Sequence, residues 1–217
     1  ARAHKRPLRR RDPIELSDQM FLFKRTVRET AMRHEIYATF MAKPMEHEPG
    51  SSMHWHISLR RAADGGNAFS NPDGSESELF QQFIGGIQKY GPEATLLSAP
   101  YVNSYRRFTR HLSAPINLQW GYDNRTVGLR VPHSDPDNRR VENRLAGADV
   151  NPYLSIAASL ACGLLGLEER LQPGAPETGS AYNRPFALPG SLSDAVRRLE
   201  NTERLRPLLG DRFIKIY

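Results

Sequence analysis

Two histidines and a serine alternate with apolar residues in the stretch MHWHISL, residues 53–59. If this stretch is a strand, successive side chains point to opposite faces, so His54, His56 and Ser58 share one face. Two imidazoles that point the same way can share one ligand, a metal ion among them. The alternative is a polar face that only contacts water, and a pair of histidines does not by itself exclude it.

A second set of charged residues lies in the stretch RRVENRL. In an extended strand Arg140, Glu142 and Arg144 share a face, and the apolar residues between them take the opposite one. On an open surface such a ladder of charges would contribute little to stability. Because apolar helices are predicted on both sides of this stretch, we expect its charged face to line a cleft.

Arginines are concentrated between Asn103 and Arg130, and Gly128 among them leaves space for a ligand near the backbone. The rigid guanidinium fork binds carboxylates and phosphates. Arginines gathered near histidine and glutamate suit a triphosphate, a divalent metal and a carboxylate substrate. A nucleic-acid surface would instead interleave exposed arginines with aromatic residues, so we expect no nucleic acid. The arginines of this cluster are Arg106, Arg107, Arg110, Arg125 and Arg130.

Helices are predicted where apolar residues recur at helical spacing. The first begins at Asp12-Pro13, because aspartate can cap a helix and proline fits its first turn. A long apolar helix follows Asn151, and residues 172–190 are predicted to be a loop because they hold seven prolines or glycines. The predicted helices cover residues 13–34, 76–90, 92–98, 152–171, 191–200 and 203–209.

Strands are predicted where β-forming residues gather in short runs. They cover residues 36–42, residues 53–59 and two or three further runs within 115–145. Residues 44–52 and 61–76 are predicted to be loops. The strands must position the histidines, Glu142 and the arginines, and the helices must cover the other side of the sheet.

The composition limits the class of protein. The 217 residues include 39% hydrophobic residues, enough for a packed core, and no apolar run of about 18 residues marks a membrane span. No secretory signal pattern is present. The single cysteine, Cys162, cannot form an internal disulfide, so we expect a cytoplasmic protein. The net charge is +6, and residues 1–11 form a basic tract that we interpret as a tail; a polyanion-binding arm is the alternative.

Four stretches resemble glutamine synthetase and its relatives. They are FMAKPMEHEPGSSMHWHISL, NSYRRF, APINLQWGYDNRTVGLRVP and RRVENRLAGADVNPYLSIAASLACGLLGLEE. The wording of the last two is most similar to the γ-glutamylputrescine (γ-glutamylpolyamine) synthetase branch. The resemblance covers about residues 12–217, and residues 1–11 do not match it. It implies an α+β catalytic domain, with a curved antiparallel sheet backed by helices and a cleft on its polar face.

The resemblance implies which residues bind ATP and metal. His54 and Glu142 match metal ligands, which would hold Mg²⁺ or Mn²⁺ at the phosphates of ATP. Four further residues match positions on the nucleotide side: His56, Ser58, Arg130 and Arg140.

The resemblance likewise implies how glutamate is held. Gly50 matches a backbone contact to glutamate, and Arg107 and Arg144 match arginines that hold its carboxylates. Arg125 matches the arginine near the transferred phosphoryl group, so Arg125 and Arg107 are the expected catalytic residues. The implied reaction is an ATP-dependent ligation of glutamate to an amine through γ-glutamyl phosphate.

Three departures from the family pattern qualify this expectation. Ser113 stands where glutamine synthetase proper carries a flap glutamate, which removes a charge and makes room for an amine bulkier than ammonia, such as putrescine. Pro49 stands where the family has an asparagine that contacts glutamate. Phe186 stands near the tyrosine that some bacterial relatives adenylylate, so that modification is not expected.

The N-terminal β-grasp domain of the family, and strands with further metal-ligand glutamates, have no counterpart in this sequence. Family members form homo-oligomeric rings in which neighbouring subunits share active sites. We therefore expect residues 12–217 to be a partial catalytic domain that is inactive alone. The alternatives are glutamine synthetase proper, which uses ammonia, and a non-catalytic remnant that binds nucleotide.

Overall fold

The structure is a computed structural model, and it describes residues 12–110 and 113–217. Seven α-helices and four short strands are found in these residues, with 3-10 turns at Thr95–Leu97, Pro136–Asn138 and Ala181–Asn183. The helices are α1 Pro13–Arg33, α2 Glu78–Ala94, α3 Val102–Tyr105, α4 Pro152–Glu168, α5 Leu192–Glu200, α6 Arg206–Leu209 and α7 Asp211–Ile216. The strands are β1 Trp55–Ile57, β2 Trp120–Tyr122, β3 Leu129–Val131 and β4 Val141–Asn143.

Helices α1 and α4 each begin at a residue whose side chain caps the helix. Asp12 accepts a hydrogen bond from the backbone N–H of Ile14 at 2.8 Å, and Pro13 occupies the first turn of α1. Asn151 caps α4 in the same way by accepting from Tyr153 N at 3.0 Å. Each cap satisfies a backbone donor that has no partner inside the helix. Both predicted starts are therefore confirmed.

Helices α2 and α4 pack against each other through glycine. A Cβ atom on Gly86 would lie 2.3 Å from the carbonyl oxygen of Cys162 and 2.7 Å from the Cα of Gly166. A Cβ on Gly163 would overlap the ring of Phe83. The absence of these side chains lets the two backbones approach closely, and the buried core forms around them.

The four strands form one sheet in the order β1-β4-β3-β2. The β1–β4 and β4–β3 pairs are antiparallel, as predicted, whereas β2 and β3 run parallel. A parallel pair normally needs a long crossover. Here each strand has only three residues, which span about 7–10 Å at the usual rise. Because that distance is short, the six-residue loop 123–128 is long enough to return the chain to the start of the next strand. The loop begins at Asp123, which has a φ of 44°. The α+β class is confirmed, with a mixed sheet.

Residues 36–42 were predicted to form a strand, and this prediction is wrong for the described residues. No strand is present there. Strand propensity is expressed only when a neighbouring strand supplies hydrogen-bond partners, and this segment has none in the described chain. The shorter helix predicted at 92–98 is the end of α2 followed by a 3-10 turn, and α7 was not predicted.

One face of the sheet is apolar and packs on the helices. Leu129 and Val141 are fully buried there, and Trp55 donates from its indole to Ser155 of α4 at 2.9 Å. The opposite face carries the polar residues at the alternate positions. No helix among the described residues is both long and apolar enough to cross a membrane.

Candidate active site

The register of the sheet aligns three predicted site residues across three strands. His56 of β1 pairs with Glu142 of β4, and Arg130 of β3 pairs with the same Glu142. Gly121 of β2 follows Arg130 in the row and contributes no side chain; a Cβ there would lie 2.5 Å from the carbonyl oxygen of Glu177, so that backbone covers this end of the row. Directly opposed residues in a sheet have neighbouring side chains, which explains why positions far apart in sequence meet here.

Glu142 is the centre of the cluster, and it is only 4% exposed. Its Oε1 lies 2.7 Å from Nδ1 of His54 and 3.1 Å from Nη1 of Arg144. Its Oε2 accepts from Nη1 of Arg130 at 2.7 Å. Nε2 of His56 is 4.0 Å from Oε1. One carboxylate is thus shared among several cationic or imidazole groups on the polar face of the sheet.

The electrostatics of the cluster favour negative charge at Glu142. Burial acts to raise the pKa of Glu142, but the contacts from His54 and Arg130 outweigh it and hold that pKa well below its usual value. Burial lowers the pKa of His54, so its imidazole tends to be neutral. A neutral imidazole beside an ionised carboxylate is the protonation state in which both can bind a metal.

His54 and Glu142 fit part of a divalent-metal site. Both nitrogens of His54 are buried and make no well-aligned hydrogen bond to any described residue, so its ring keeps an electron pair for a ligand. No group of three or more His, Cys, Asp or Glu side chains arranged to hold a metal ion occurs in residues 12–110 and 113–217. The pair therefore supplies one nitrogen and one carboxylate, and a complete coordination sphere needs further ligands.

The residues predicted for the nucleotide side lie at the solvent-facing rim of the cluster. The His56 side chain is 44% exposed, and its Nδ1 accepts from Nε of Arg140 at 3.2 Å. Arg130 is also bonded to Asp123 in the β2–β3 loop, a contact that sequence reasoning missed. Ser58 directly follows β1 and is partly buried. Arg130, Arg140 and His56 thus border one open surface.

Arg107 does not extend into that surface. It is 2% exposed, and its guanidinium donates to the backbone carbonyls of Arg144 at 2.8 Å and of Leu145. Burial lowers the pKa of Arg107 to about 10. A Cβ on Gly50 would lie 3.0 Å from Cγ of Arg107 and 2.5 Å from the carbonyl oxygen of Ala42. Gly50, Arg107 and Arg144 are brought together, with Arg107 holding the backbone behind Arg144.

Arg144 links the cluster to the loops around it. Its Nη2 donates to the carbonyl oxygens of Arg125 at 3.1 Å and of Ser113 at 3.3 Å. The side chain of Arg125 is exposed and lies outside the buried ion cluster, although its backbone is fixed there. Ser113 has a φ of 64° and lies next to residues 111–112, which are outside the described chain. Arg125 is therefore near the site without contacting Glu142.

Lys43 is a second feature that sequence reasoning missed. Its backbone N–H donates to Asn103 at 2.8 Å, its carbonyl accepts from the same amide at 2.9 Å, and its buried ammonium donates to the carbonyl of Glu48. These bonds hold the loop that carries Gly50. The signal in the sequence that could have singled out Lys43 is the scarcity of lysine, since the whole chain has only five. A cavity of about 700 Å³ opens beside this loop, lined by Met41, Lys43, Pro44, Glu46, Asn103, Arg106 and Thr109.

The sequence and the fold are similar to those of known proteins. The γ-glutamylputrescine synthetase PuuA of Escherichia coli (strain K12) is 42% identical over 207 residues, which are 94% of this chain and 43% of that protein. The glutamate–isopropylamine ligase of a Pseudomonas species is 39% identical, over 95% of this chain and 46% of the relative. The glutamine synthetase of Pyrococcus furiosus is 36% identical, over 97% and 49%.

A solved structure described as "Apo GmaS without ligand" superposes with a TM-score of 0.82 at 36% identity, covering 94% of this chain and 49% of the other. The chain thus spans a little under half the length of the relatives it matches. Residues 6–217 match the family described as glutamine synthetase, catalytic domain. This match extends over nearly the whole sequence, and the chain belongs to the glutamine synthetase family.

Proposed function

We propose that the chain provides the ATP- and glutamate-binding part of a ligase that joins the γ-carboxyl of glutamate to an amine. The observation that carries this proposal is the convergence of His54, Arg130 and Arg144 on the buried carboxylate of Glu142. Such a cluster suits substrates that are themselves negatively charged. The named relatives join glutamate to putrescine or isopropylamine, or are glutamine synthetases, which supports the same class of reaction.

The proposed chemistry has two steps. The γ-carboxylate of glutamate attacks the terminal phosphorus of ATP, ADP leaves, and γ-glutamyl phosphate forms. An amine then attacks the acyl carbon, phosphate leaves, and the nitrogen loses a proton. The first step brings like charges together, so positioning and positive charge lower its barrier. Arg130 and Arg140, with His56 and Ser58, are proposed to hold the ATP phosphates.

Mg²⁺ or Mn²⁺ is proposed to bind at His54 and Glu142. The ion would neutralise phosphate charge when bound, and this role is supported by Nε2 of His54, which is buried and has no hydrogen-bond partner among the described residues. Both oxygens of Glu142 accept from a guanidinium, and each carboxylate oxygen has a second lone pair, so Glu142 keeps acceptor capacity for the ion. The chain's own contribution is to keep Glu142 ionised and His54 neutral.

Glutamate is proposed to bind where Gly50, Arg107 and Arg144 meet. Both Nη groups of Arg107 donate to backbone carbonyls. Nε of Arg107 and Nε of Arg144 are buried donors without a partner among the described residues, and they are proposed to be available to a carboxylate. Arg125, whose side chain is exposed at the rim, is proposed to contact the transferred phosphoryl group. Arg125 and Arg107 remain the proposed catalytic residues.

The amine is proposed to be larger than ammonia and putrescine-like, because Ser113 lacks the charge and bulk of the flap glutamate. The isolated chain is proposed to be inactive because its metal ligands are incomplete. The complete enzyme is proposed to be a cytoplasmic, homo-oligomeric ring of nitrogen and polyamine metabolism. Use of ammonia remains the second candidate, since relatives of nearly equal similarity are glutamine synthetases.

A chimera tests this proposal directly. Residues 12–217 would replace the matched part of the E. coli relative, and phosphate release from ATP would be measured with glutamate and putrescine, isopropylamine, ethanolamine or ammonia. We expect release with putrescine, little with ammonia, and none from the isolated chain. Glu142→Gln should abolish release, whereas Glu168→Gln, at an exposed position of α4, should not.

Two results would change the conclusion. Release with ammonia alone would indicate glutamine synthetase proper. A folded chimera that binds ATP but releases no phosphate with any amine would indicate a non-catalytic remnant.

A further inference from the structure

Arg130 lies between two carboxylates. Its Nη1 donates to Oε2 of Glu142 at 2.7 Å, and its Nη2 donates to Oδ1 of Asp123. The Glu142 side chain is 5% exposed and the Asp123 side chain is 37% exposed, so one carboxylate holds Arg130 from the interior and the other from the solvent side. The positive charge that is proposed to bind a phosphate of ATP is therefore balanced on both sides.

The orientation of Arg130 is fixed without Asp123. Arg130 is the middle residue of β3, where it pairs with Glu142 of β4 on one side and with Gly121 of β2 on the other. The Glu142 carboxylate that it contacts is itself held by Nη1 of Arg144 at 3.1 Å. Separating Asp123 from Arg130 leaves these contacts in place, so Asp123 acts on the charge of Arg130 rather than on its position.

Asp123 has further partners on the solvent side. Its Oδ2 accepts from the backbone N–H of His133 at 3.4 Å, and Nε2 of the His133 imidazole lies 3.5 Å from the same oxygen. The His133 side chain is 82% exposed. A carboxylate that leaves Arg130 therefore keeps its contacts with His133 and gains contact with water, so the exchange leaves no buried charge without compensation.

The loop that carries Asp123 is fixed through its backbone. Asp123 N donates to Val131 O at 3.0 Å. The side-chain amide of Asn124 donates to the carbonyl oxygens of Glu177 at 3.0 Å and of Gly179 at 2.7 Å. The φ of Asp123 is 44°, a conformation that aspartate and asparagine adopt more readily than most residues. Exchange at Asp123 therefore needs movement of the side chain alone, and asparagine fits the same backbone.

The charge of Asp123 opposes the binding of a phosphate at Arg130. A carboxylate that contacts a guanidinium repels a phosphate oxygen that approaches the same group. Because Asp123 is partly exposed, solvent and salt screen this repulsion without abolishing it. The binding of a phosphate to Arg130 therefore includes the cost of separating Asp123 from the guanidinium.

We propose that Asp123 competes with a phosphate of ATP for Arg130 and so lowers the affinity of the site for nucleotide. When phosphate binds, the Asp123 carboxylate leaves Nη2 of Arg130 and stays at His133, while Arg130 remains paired with Glu142. When phosphate departs, the carboxylate returns to Arg130, which favours release of the product nucleotide. This inference rests on the proposed role of Arg130 at the ATP phosphates.

Isothermal titration calorimetry of the full 217-residue chain with ATP and Mg²⁺ tests this competition without an activity assay. Asp123→Asn removes the charge but keeps the size and the backbone preference of the side chain. We expect this variant to bind ATP about fivefold more tightly than the parent, as the separation of a partly exposed ion pair allows. The difference should shrink at high salt.

Asp194→Asn is the matched control. Asp194 also pairs with two guanidinium groups, those of Arg197 at 2.7 Å and Arg198 at 3.0 Å. It lies on α5, which packs on α2 and α7. Both substitutions raise the net charge by one, so an effect of net charge alone would be equal in the two variants. We expect Asp194→Asn to bind ATP as the parent does.

Two double variants assign the effect to Arg130. In an Arg130→Gln background no guanidinium is left to compete for, so Asp123→Asn should leave the affinity for ATP unchanged. In an Arg140→Gln background the competition remains, because Arg140 contacts His56 and not Asp123, so Asp123→Asn should still tighten binding about fivefold. Circular dichroism of each variant measures whether it is folded, and the Arg140→Gln pair keeps the test complete if Arg130→Gln unfolds.

Three outcomes would overturn the proposal. If the parent binds ATP and Asp123→Asn binds it equally well or more weakly, Asp123 does not compete, and weaker binding would make it a positioning residue. An equal increase in affinity in Asp194→Asn would assign the effect to net charge. These two outcomes leave the proposed function intact. Absence of ATP binding, or binding that Arg130→Gln does not change, would overturn the proposed role of Arg130 and this inference with it.

Discussion

Glu142 shows how a single buried carboxylate can organise a site. Replacing a buried ion pair by apolar residues is often neutral for stability, so the cluster is weak evidence for a stabilising role. Removing only one partner is different, because the remaining charges stay buried without compensation. Glu142 faces Arg130, Arg144 and His54, so its loss affects all three.

We expect Glu142→Gln to lower the free energy of unfolding by about 3 kcal/mol, since it leaves the buried guanidinium of Arg144 without its carboxylate and Arg130 with Asp123 alone. Urea unfolding followed by circular dichroism measures this change. The matched control is Glu168→Gln, at an exposed position, which should stay within about 0.5 kcal/mol. Equal stability of the two variants would mean that the arginines find other partners or water.

Gly50 is needed for its lack of a side chain. In Gly50→Ala the new methyl would meet the Ala42 carbonyl at 2.5 Å and the Arg107 stem at 3.0 Å. We expect a loss of about 1–3 kcal/mol, because backbone must move to admit it. Gly190→Ala is the control, since nothing lies within 4 Å of its added carbon. The midpoints of thermal unfolding of both variants measure this loss. A Gly50→Ala variant more stable than the parent would show that the loop around Gly50 can move to admit the methyl group.

At the scale of elements, the close approach of α2 and α4 is what supports the apolar face of the sheet. Cys162 lies in this contact; it is fully buried, and burial raises the pKa of its thiol, which fits a packing role. Asn143 of β4 donates to Ser159 of α4 at 3.0 Å, so the helix also fixes the strand that carries Glu142.

We expect Gly166→Ala to destabilise the chain by about 2 kcal/mol, although alanine favours helix by about 1 kcal/mol relative to glycine. The added carbon would lie 2.1 Å from the carbonyl oxygen of Gln82, so α2 and α4 must separate. Denaturant midpoints measure the effect, with Gly174→Ala as the control because its position is open. A more stable Gly166→Ala would contradict the packing described for these helices.

At the scale of the whole molecule, Glu169 joins three parts of the chain. It follows α4 and is contacted by Lys89 of α2 at 2.8 Å, by the hydroxyl of Tyr90 at 2.6 Å, and by Arg204 before α6 at 2.7 Å. The hydrogen bonds from Lys89, then from Tyr90, lower the pKa of Glu169 from about 4.5 to about 2. Its ionised form is therefore favoured in the folded state.

A carboxyl whose pKa is lower when folded contributes stability above its unfolded pKa and loses it as pH falls through the folded one. We expect Glu169→Gln to be less stable than the parent at pH 7, with the difference shrinking between pH 4.5 and about 2. Urea titrations across this range measure it, and high salt should reduce it because the network is partly exposed. A difference independent of pH would mean that Glu169 acts through packing.

The sequence by itself determined the long helices, the faces of the strands and the family. The Asp12 and Asn151 caps, the alternation around His54 and His56, and the spacing of Glu142 and Arg144 are local patterns, and local patterns report which side chains share a face. That His54, Glu142, Arg130 and Arg144 meet was implied by the resemblance to glutamine synthetase and not by these local patterns.

The tertiary structure alone decided which strands pair and which donors are already used. Pairing depends on a partner distant in sequence, so residues 36–42 show strand propensity but form no strand in the described chain. Likewise, periodicity could not reveal that Arg107 is buried against the 144–145 carbonyls while Arg125 is exposed. Both facts depend on where separate segments come to lie, and that is set by packing of the whole chain.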